Sequence, residues 1–166
     1  RRNVFHLYHY NVCKLWLFYR HMIWSSLGSS PRIERASLSG ANRKILVIRN
    51  VKWPISLALD IPSSRVYWSD PKTSTLESIK IDGSDRRLIK RFNFGIFILS
   101  FQLNILLIFT NSNFFIDEKP NEIAVFEDSI FMSTYYGQNV LKIDKFGRNT
   151  PLYLVRGLNK ISSMSI

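Results

Sequence analysis

Trp53-Pro54-Ile55-Ser56-Leu57-Ala58-Leu59-Asp60, then Arg65-Val66-Tyr67-Trp68-Ser69-Asp70, then Thr75-Leu76-Glu77-Ser78-Ile79-Lys80-Ile81 before Asp82-Gly83-Ser84-Asp85-Arg86-Arg87, is the stretch whose reading decides the fold. Each piece is a short run of strand formers bounded by turn chemistry: Pro54 opens the first, Pro62-Ser63-Ser64 precedes the second, and Gly83 supplies the positive φ of a turn before a fourth strand over residues 86–90. Ser56, Ala58 and Asp60 alternate with Ile55, Leu57 and Leu59, the period of a strand whose two faces differ. Small side chains on one face suit a crowded position, and four strands in succession make one sheet.

The unit recurs. Ile23-Trp24-Ser25-Ser26 matches Tyr67-Trp68-Ser69-Asp70, and Phe131-Met132-Ser133-Thr134 is a weaker third copy. Trp68 follows Trp24 by 44 positions, and Gly83 follows Gly40 by 43. Two anchors at independent places in the unit with nearly one spacing point to propeller blades, whose period is about 40–50 residues. Residues 22–25, 32–36 and 43–48 read as the last three strands of a first blade. Residues 122–126, 129–133, 140–143 and 152–155 form another, with Gly147 in its turn, and residues 161–166 open a fourth.

Two stretches stand outside this pattern. Residues 1–21 lack the repeat and read as an irregular or helical segment, with non-native sequence as one origin, leaving 22–166 as the partial propeller. Met132 follows Trp68 by 64 positions, so an insertion separates the second and third copies. It falls at about 94–116, which carries no charge and approaches the ~20 apolar residues of a membrane helix. Ser100, Gln102, Asn104 and the 110–113 polar run interrupt it, and repeats lie on both sides, so a loop insertion or translated intron is preferred.

Composition narrows function. An apolar content of 46% and a charged content of 21% are those of a globular chain. Lys and Arg number 23 against 12 Asp and Glu, a formal +11 that raises nucleic acid as a partner, but the basic residues are scattered over strands and turns and read as a solvated surface. Cys13 is the sole cysteine, which rules out an intrachain disulfide and a cysteine-based zinc site. No Ser-His-Asp or Cys-His set falls on the repeat scaffold, so catalysis, a cofactor and a metal are not expected. His6, His9 and His21 are expected to lie outside the repeats.

The blade 53–87 resembles the YWTD propellers of the low-density-lipoprotein-receptor group, and the third copy, from Val125 through Gly137 to Gly147, is similar to a late blade of the large lipoprotein-receptor-related endocytic receptors. The resemblance covers about 22–90 and 119–166. It implies an all-β fold, a six-bladed propeller of about 250 residues of which this chain supplies about half. It implies architectural roles for Trp24, Trp53, Pro54, Asp60, Tyr67, Trp68, Ser69, Asp70, Gly40, Gly83 and Gly147: aromatics packed between blades, Ser69 and Asp70 satisfying backbone donors at the strand end. Ser26, Met132 and Thr134 depart from that motif. It further implies a non-enzymatic extracellular module of a single-pass receptor of the cell surface and endosomes, binding protein or lipoprotein ligands beside EGF-like and cysteine-rich modules. A Wnt co-receptor or basement-membrane glycoprotein is the alternative, and a nucleic-acid-binding protein a remote one. The ligand-contacting residues are not indicated.

Overall fold

In the computed structural model, which describes residues 11–16, 21–92, 119–134 and 139–157, every regular element is a strand. β1 (Asn11–Trp16), β2 (His21–Ser26), β3 (Arg32–Ser37) and β4 (Lys44–Val47) form one antiparallel sheet in chain order. β5 (Ser56–Asp60), β6 (Arg65–Asp70), β7 (Thr75–Lys80) and β8 (Arg87–Arg91) form the second, and β9 (Pro120–Phe126), β10 (Ser129–Thr134), β11 (Val140–Asp144) and β12 (Leu152–Val155) the third. The fold is all-β, a partial propeller.

The sequence reading placed residues 1–21 outside the repeat. Residues 11–16 instead pair with β2, from Asn11 opposite Ser26 to Trp16 opposite His21. The free edge of β2 carries unpaired backbone groups that need partners, and β1 supplies them. Its apolar residues are few and mixed with Asn11, Cys13 and Lys14, so no alternation announced it. His21 likewise opens β2 and belongs to the repeat. The 94–116 insertion and the 161–166 strand lie outside the described residues.

The three sheets stack through their faces. Leu57, Val66, Trp68 and Ile79 of the second sheet pack on Ile23, Ile33, Leu46 and Val47 of the first. Ala58, Tyr67, Leu76 and Ile89, on the opposite face, pack on Ile123, Ile130, Met132, Leu141 and Ile143 of the third. Adjacent residues thus enter two different cores, which is why both faces of β6 are buried. Each large apolar side chain buried there contributes about 1.5–3 kcal/mol.

A bulge recurs at one place in every sheet. Pairing slips between Ile33 and Glu34 against β4, between Leu76 and Glu77 against β8, and between Val140 and Leu141 against β12. The residues skipped on the outer strands are Leu46, Ile89 and Leu154. An extra residue bends the strand and re-aims a side chain. Leu46 and Ile89 enter the core beneath the following sheet and are 8% and 7% exposed, whereas Leu154, with no described sheet after it, is 45% exposed.

Candidate functional site

The motif strand β6 ends in a dense set of hydrogen bonds. Asp70 Oδ2 accepts from the amides of Lys52 and Trp53 at 2.7 and 2.9 Å, and Oδ1 from those of Lys72 and Thr73 at 3.0 Å each. One carboxylate therefore fixes both the chain entering β5 and the turn leaving β6, since buried amides need acceptors. Ser69 Oγ donates to the carbonyl of Asn121 in the third sheet. Ser56 Oγ accepts from the Ile123 amide at 3.2 Å, so small residues on β5 let the inner strands of neighbouring sheets touch. At the position equivalent to Asp70, Thr134 Oγ1 accepts from the Asn139 amide at 3.1 Å.

Tyr67 and Trp68 are fully buried and face opposite seams. Pro54 is buried at the entry to β5, and Trp53 is exposed on the surface above it. Asp60 is buried, accepts from Ser63 Oγ at 2.7 Å and pairs with Lys145 at 3.1 Å. Lys145 also reaches Asp128 at 2.9 Å, so one ammonium ties the second sheet to the third. Burial alone would lower the Lys145 pKa, but its bonds to Asp128 and Asp60 outweigh that and hold it above the usual lysine value. Gly40, Gly83 and Gly147 all take positive φ in the turn between third and fourth strands.

Sequence reasoning missed a recurring triad. Arg86 lies 5.3 Å from the Trp68 ring, pairs with Glu77 at 2.8 Å, and donates to the carbonyls of Arg49 and Asn50. Arg43, Trp24 and Glu34 repeat the arrangement in the first sheet, at 5.5 Å from the ring and 2.9 Å from the carboxylate. Glu34 is a pair opposite Trp24, and Glu77 opposite Trp68. Burial alone would raise the Glu34 carboxyl, yet hydrogen bonds from Arg43 and Arg32 hold it below the usual carboxylate value. In the third sheet the same three positions are Met132, Leu141 and Thr150, so all members change together. The signal was present as a Glu nine or ten positions after each Trp and an Arg nine after each Glu.

These contacts hold the sheets together. Among the described residues no three His, Cys, Asp or Glu side chains gather where a metal could be held. The arrangement is that of a propeller whose blades present turns at either end of each sheet.

One stretch of the chain matches the model of a known family. The model of the low-density lipoprotein receptor repeat class B matches residues 20–61, a span that begins at β2 and closes on β5, the first strand of the next sheet. A match that crosses a seam follows from the contacts above, because each sheet is fixed by the strand that opens the next. The chain is 28% identical over 139 residues to the vitellogenin receptor of Solenopsis invicta, covering 84% of this chain and 6% of that protein. It is 29% identical over 125 residues to the vitellogenin receptor Yl of Drosophila melanogaster, covering 75% and 5%. A human low-density lipoprotein receptor-related protein 5-like protein is 36% identical over 66 residues, 40% of this chain and 26% of that protein. The chain thus spans a small part of each relative.

Among solved structures, a nidogen/laminin complex superimposes with a TM-score of 0.61 at 16% identity, over 83% of this chain and 43% of that one. A luciferin-regenerating enzyme gives 0.58 at 11% identity, over 86% and 45%. Such likeness shows the fold alone, and one fold hosts both binding proteins and enzymes.

Proposed function

We propose that this chain is part of an extracellular ligand-binding propeller in a lipoprotein-receptor-related endocytic receptor, and that it is not itself an enzyme. The observation that carries the reading is the 28% identity to a vitellogenin receptor along 84% of the chain, across both sheet seams. The polar groups support it: Asp70, Ser69, Glu77, Arg86 and Lys145 are committed to holding backbone or neighbouring sheets. Protein or lipoprotein ligands, with EGF-like and cysteine-rich modules as neighbours, are the partners this reading assigns, and the parent protein is anchored by a single membrane span. The 94–116 stretch is assigned as an insertion between blades.

The test is uptake. Cells displaying the full-length protein that contains residues 1–166 are given fluorescent lipoprotein and compared with cells whose receptor lacks this propeller. Internalisation at 37 °C that is lost with the deletion is the expected result. A protein that never reaches the cell surface, or uptake indifferent to the deletion, overturns the reading.

A second reading, a propeller that engages a fixed protein partner in signalling or in the basement membrane, is favoured by the 36% identity to the receptor-related protein 5-like relative and by the nidogen likeness. Surface display with no lipoprotein uptake is its signature.

A further inference from the structure

We propose that the cleft between the first and second sheets, at the end carrying the β5–β6 and β7–β8 turns, is a binding site for an oxyanion: a carboxylate, sulfate or phosphate group. The inference goes beyond the receptor reading and does not depend on it.

The cleft, of about 260 Å³, is lined by His21 and Arg35 of the first sheet and by Ser64, Lys80, Ile81 and Asp82 of the second. Arg35 Nη1 lies 3.1 Å from His21 Nε2. A guanidinium can only donate, so Nε2 accepts and the ring proton sits on Nδ1. Both that Nδ1 and the Nε of Arg35 are buried and have no hydrogen-bond partner among the described residues. Two buried donors without an acceptor are costly, on the order of 1–3 kcal/mol each. An oxyanion answers both at once, and its charge is met by Arg35 and Lys80. Asp82 offsets part of this charge at Lys80, and its carboxylate accepts from the Ser84 amide at 2.7 Å within its own turn.

The second sheet shows what belongs there. Counted from the motif tryptophans and turn glycines, His21 corresponds to Arg65, Arg35 to Ser78 and Asn42 to Asp85. Asp85 and Asn42 share the same left-handed backbone, with φ of 52° and 55°. In the second sheet Arg65 is satisfied internally, by Ser78 Oγ at 3.0 Å and by the Asp85 carboxylate at 2.8 Å. In the first sheet the serine has become a second base and the carboxylate has become Asn42. The internal acid is lost while one arginine remains and the neutral imidazole of His21 stands beside it as a second donor, so the acceptor has to come from another molecule.

The experiment titrates the full chain, enriched in ¹⁵N, with sodium acetate, sodium sulfate or inorganic phosphate at constant ionic strength set by chloride, following the arginine Nε–H resonances. The expected result is saturable movement of one resonance, absent in Arg35→Lys, with the tightest of the three anions naming the group the cleft takes. Lys80→Gln weakens binding several-fold and Arg35→Gln on the order of tenfold, as loss of a charge-assisted bond does, whereas Lys72→Gln at the opposite end of the sheet leaves it unchanged. Asn42→Asp, at an exposed position where the second sheet already carries Asp, restores the internal carboxylate and abolishes binding. Non-saturating shifts with all three anions, equal weakening by Lys72→Gln and Lys80→Gln, or undiminished binding to Asn42→Asp each overturn the proposal.

Discussion

Arg86 serves four partners at once: the Trp68 face, the Glu77 carboxylate, and two carbonyls on the chain that joins the first sheet to the second. Glu77 is 7% exposed, so removing its cation strands a buried charge. Arg86→Thr is therefore expected to destabilise by ~2 kcal/mol, below the fully buried range because Arg86 itself is partly solvated. Adding Glu77→Leu recovers a substantial part of that loss, since it removes the stranded charge and leaves the two side chains that the third sheet carries at these positions, Leu141 and Thr150. Urea unfolding of the single and double variants measures the coupling, and a double variant no more stable than Arg86→Thr contradicts it. The tryptophans were legible in the sequence as repeat anchors. The triad was not, because a charged pair separated by nine residues shows its purpose only when pairing sets Glu77 directly across from Trp68.

Turns and bulges decide how the strands meet. Gly147 has a φ of 73°, and a Cβ there would lie 2.5 Å from the carbonyl oxygen of Ile89, the bulged residue of the preceding sheet. Gly40 has a similar φ of 80° but nothing within 4 Å of a Cβ. Gly40→Ala then costs only the left-handed backbone, about 1 kcal/mol. Gly147→Ala costs clearly more, because the β11–β12 turn must lift from the seam. Thermal unfolding of the two variants distinguishes them, and equal losses contradict the seam contact. The glycine spacing revealed these turns before any coordinates. The bulges left no such mark: Leu46, Ile89 and Leu154 look alike in sequence, and the slip becomes visible only in the pairing. The first strand was hidden for a related reason, as β1 is fixed by the edge of β2 and carries little pattern of its own.

At the scale of the whole molecule, stability depends on how each sheet covers the next, and pH reports on the seams. Burial pushes the Tyr67 phenol above its usual value, with Asp60 adding to the effect, and Lys145 is held above its own by Asp128 and Asp60 against the pull of burial. A group whose pKa is raised on folding contributes below its ordinary value, and the contribution is lost as pH rises through the folded value. The seam between second and third sheets therefore weakens above about pH 10. Glu34 and Asp144 are held low by hydrogen bonds from arginine, against the opposing effect of burial, so their contribution is present at neutral pH and lost as pH falls below about 4. The denaturation midpoint is expected to be level between these limits and to fall on both sides, and a midpoint that rises above pH 10 contradicts the assignment. Stacking also explains the exposed apolar residues Leu152, Leu154 and Val155, which lie on the face of the third sheet that no described sheet covers. The repeat period made the stacking legible, while the inter-sheet bonds of Ser56 and Ser69 became clear only in three dimensions.

A crystal structure of the protein that contains residues 1–166 tests the central claim most directly. It is predicted to place Trp24, Trp68 and Met132 at equivalent points on the second strands of three successive sheets, with the amide of Ile123 bonded to Ser56 across the seam. Sheets that stack in another order, or a β9 that lies away from β5, would contradict the account.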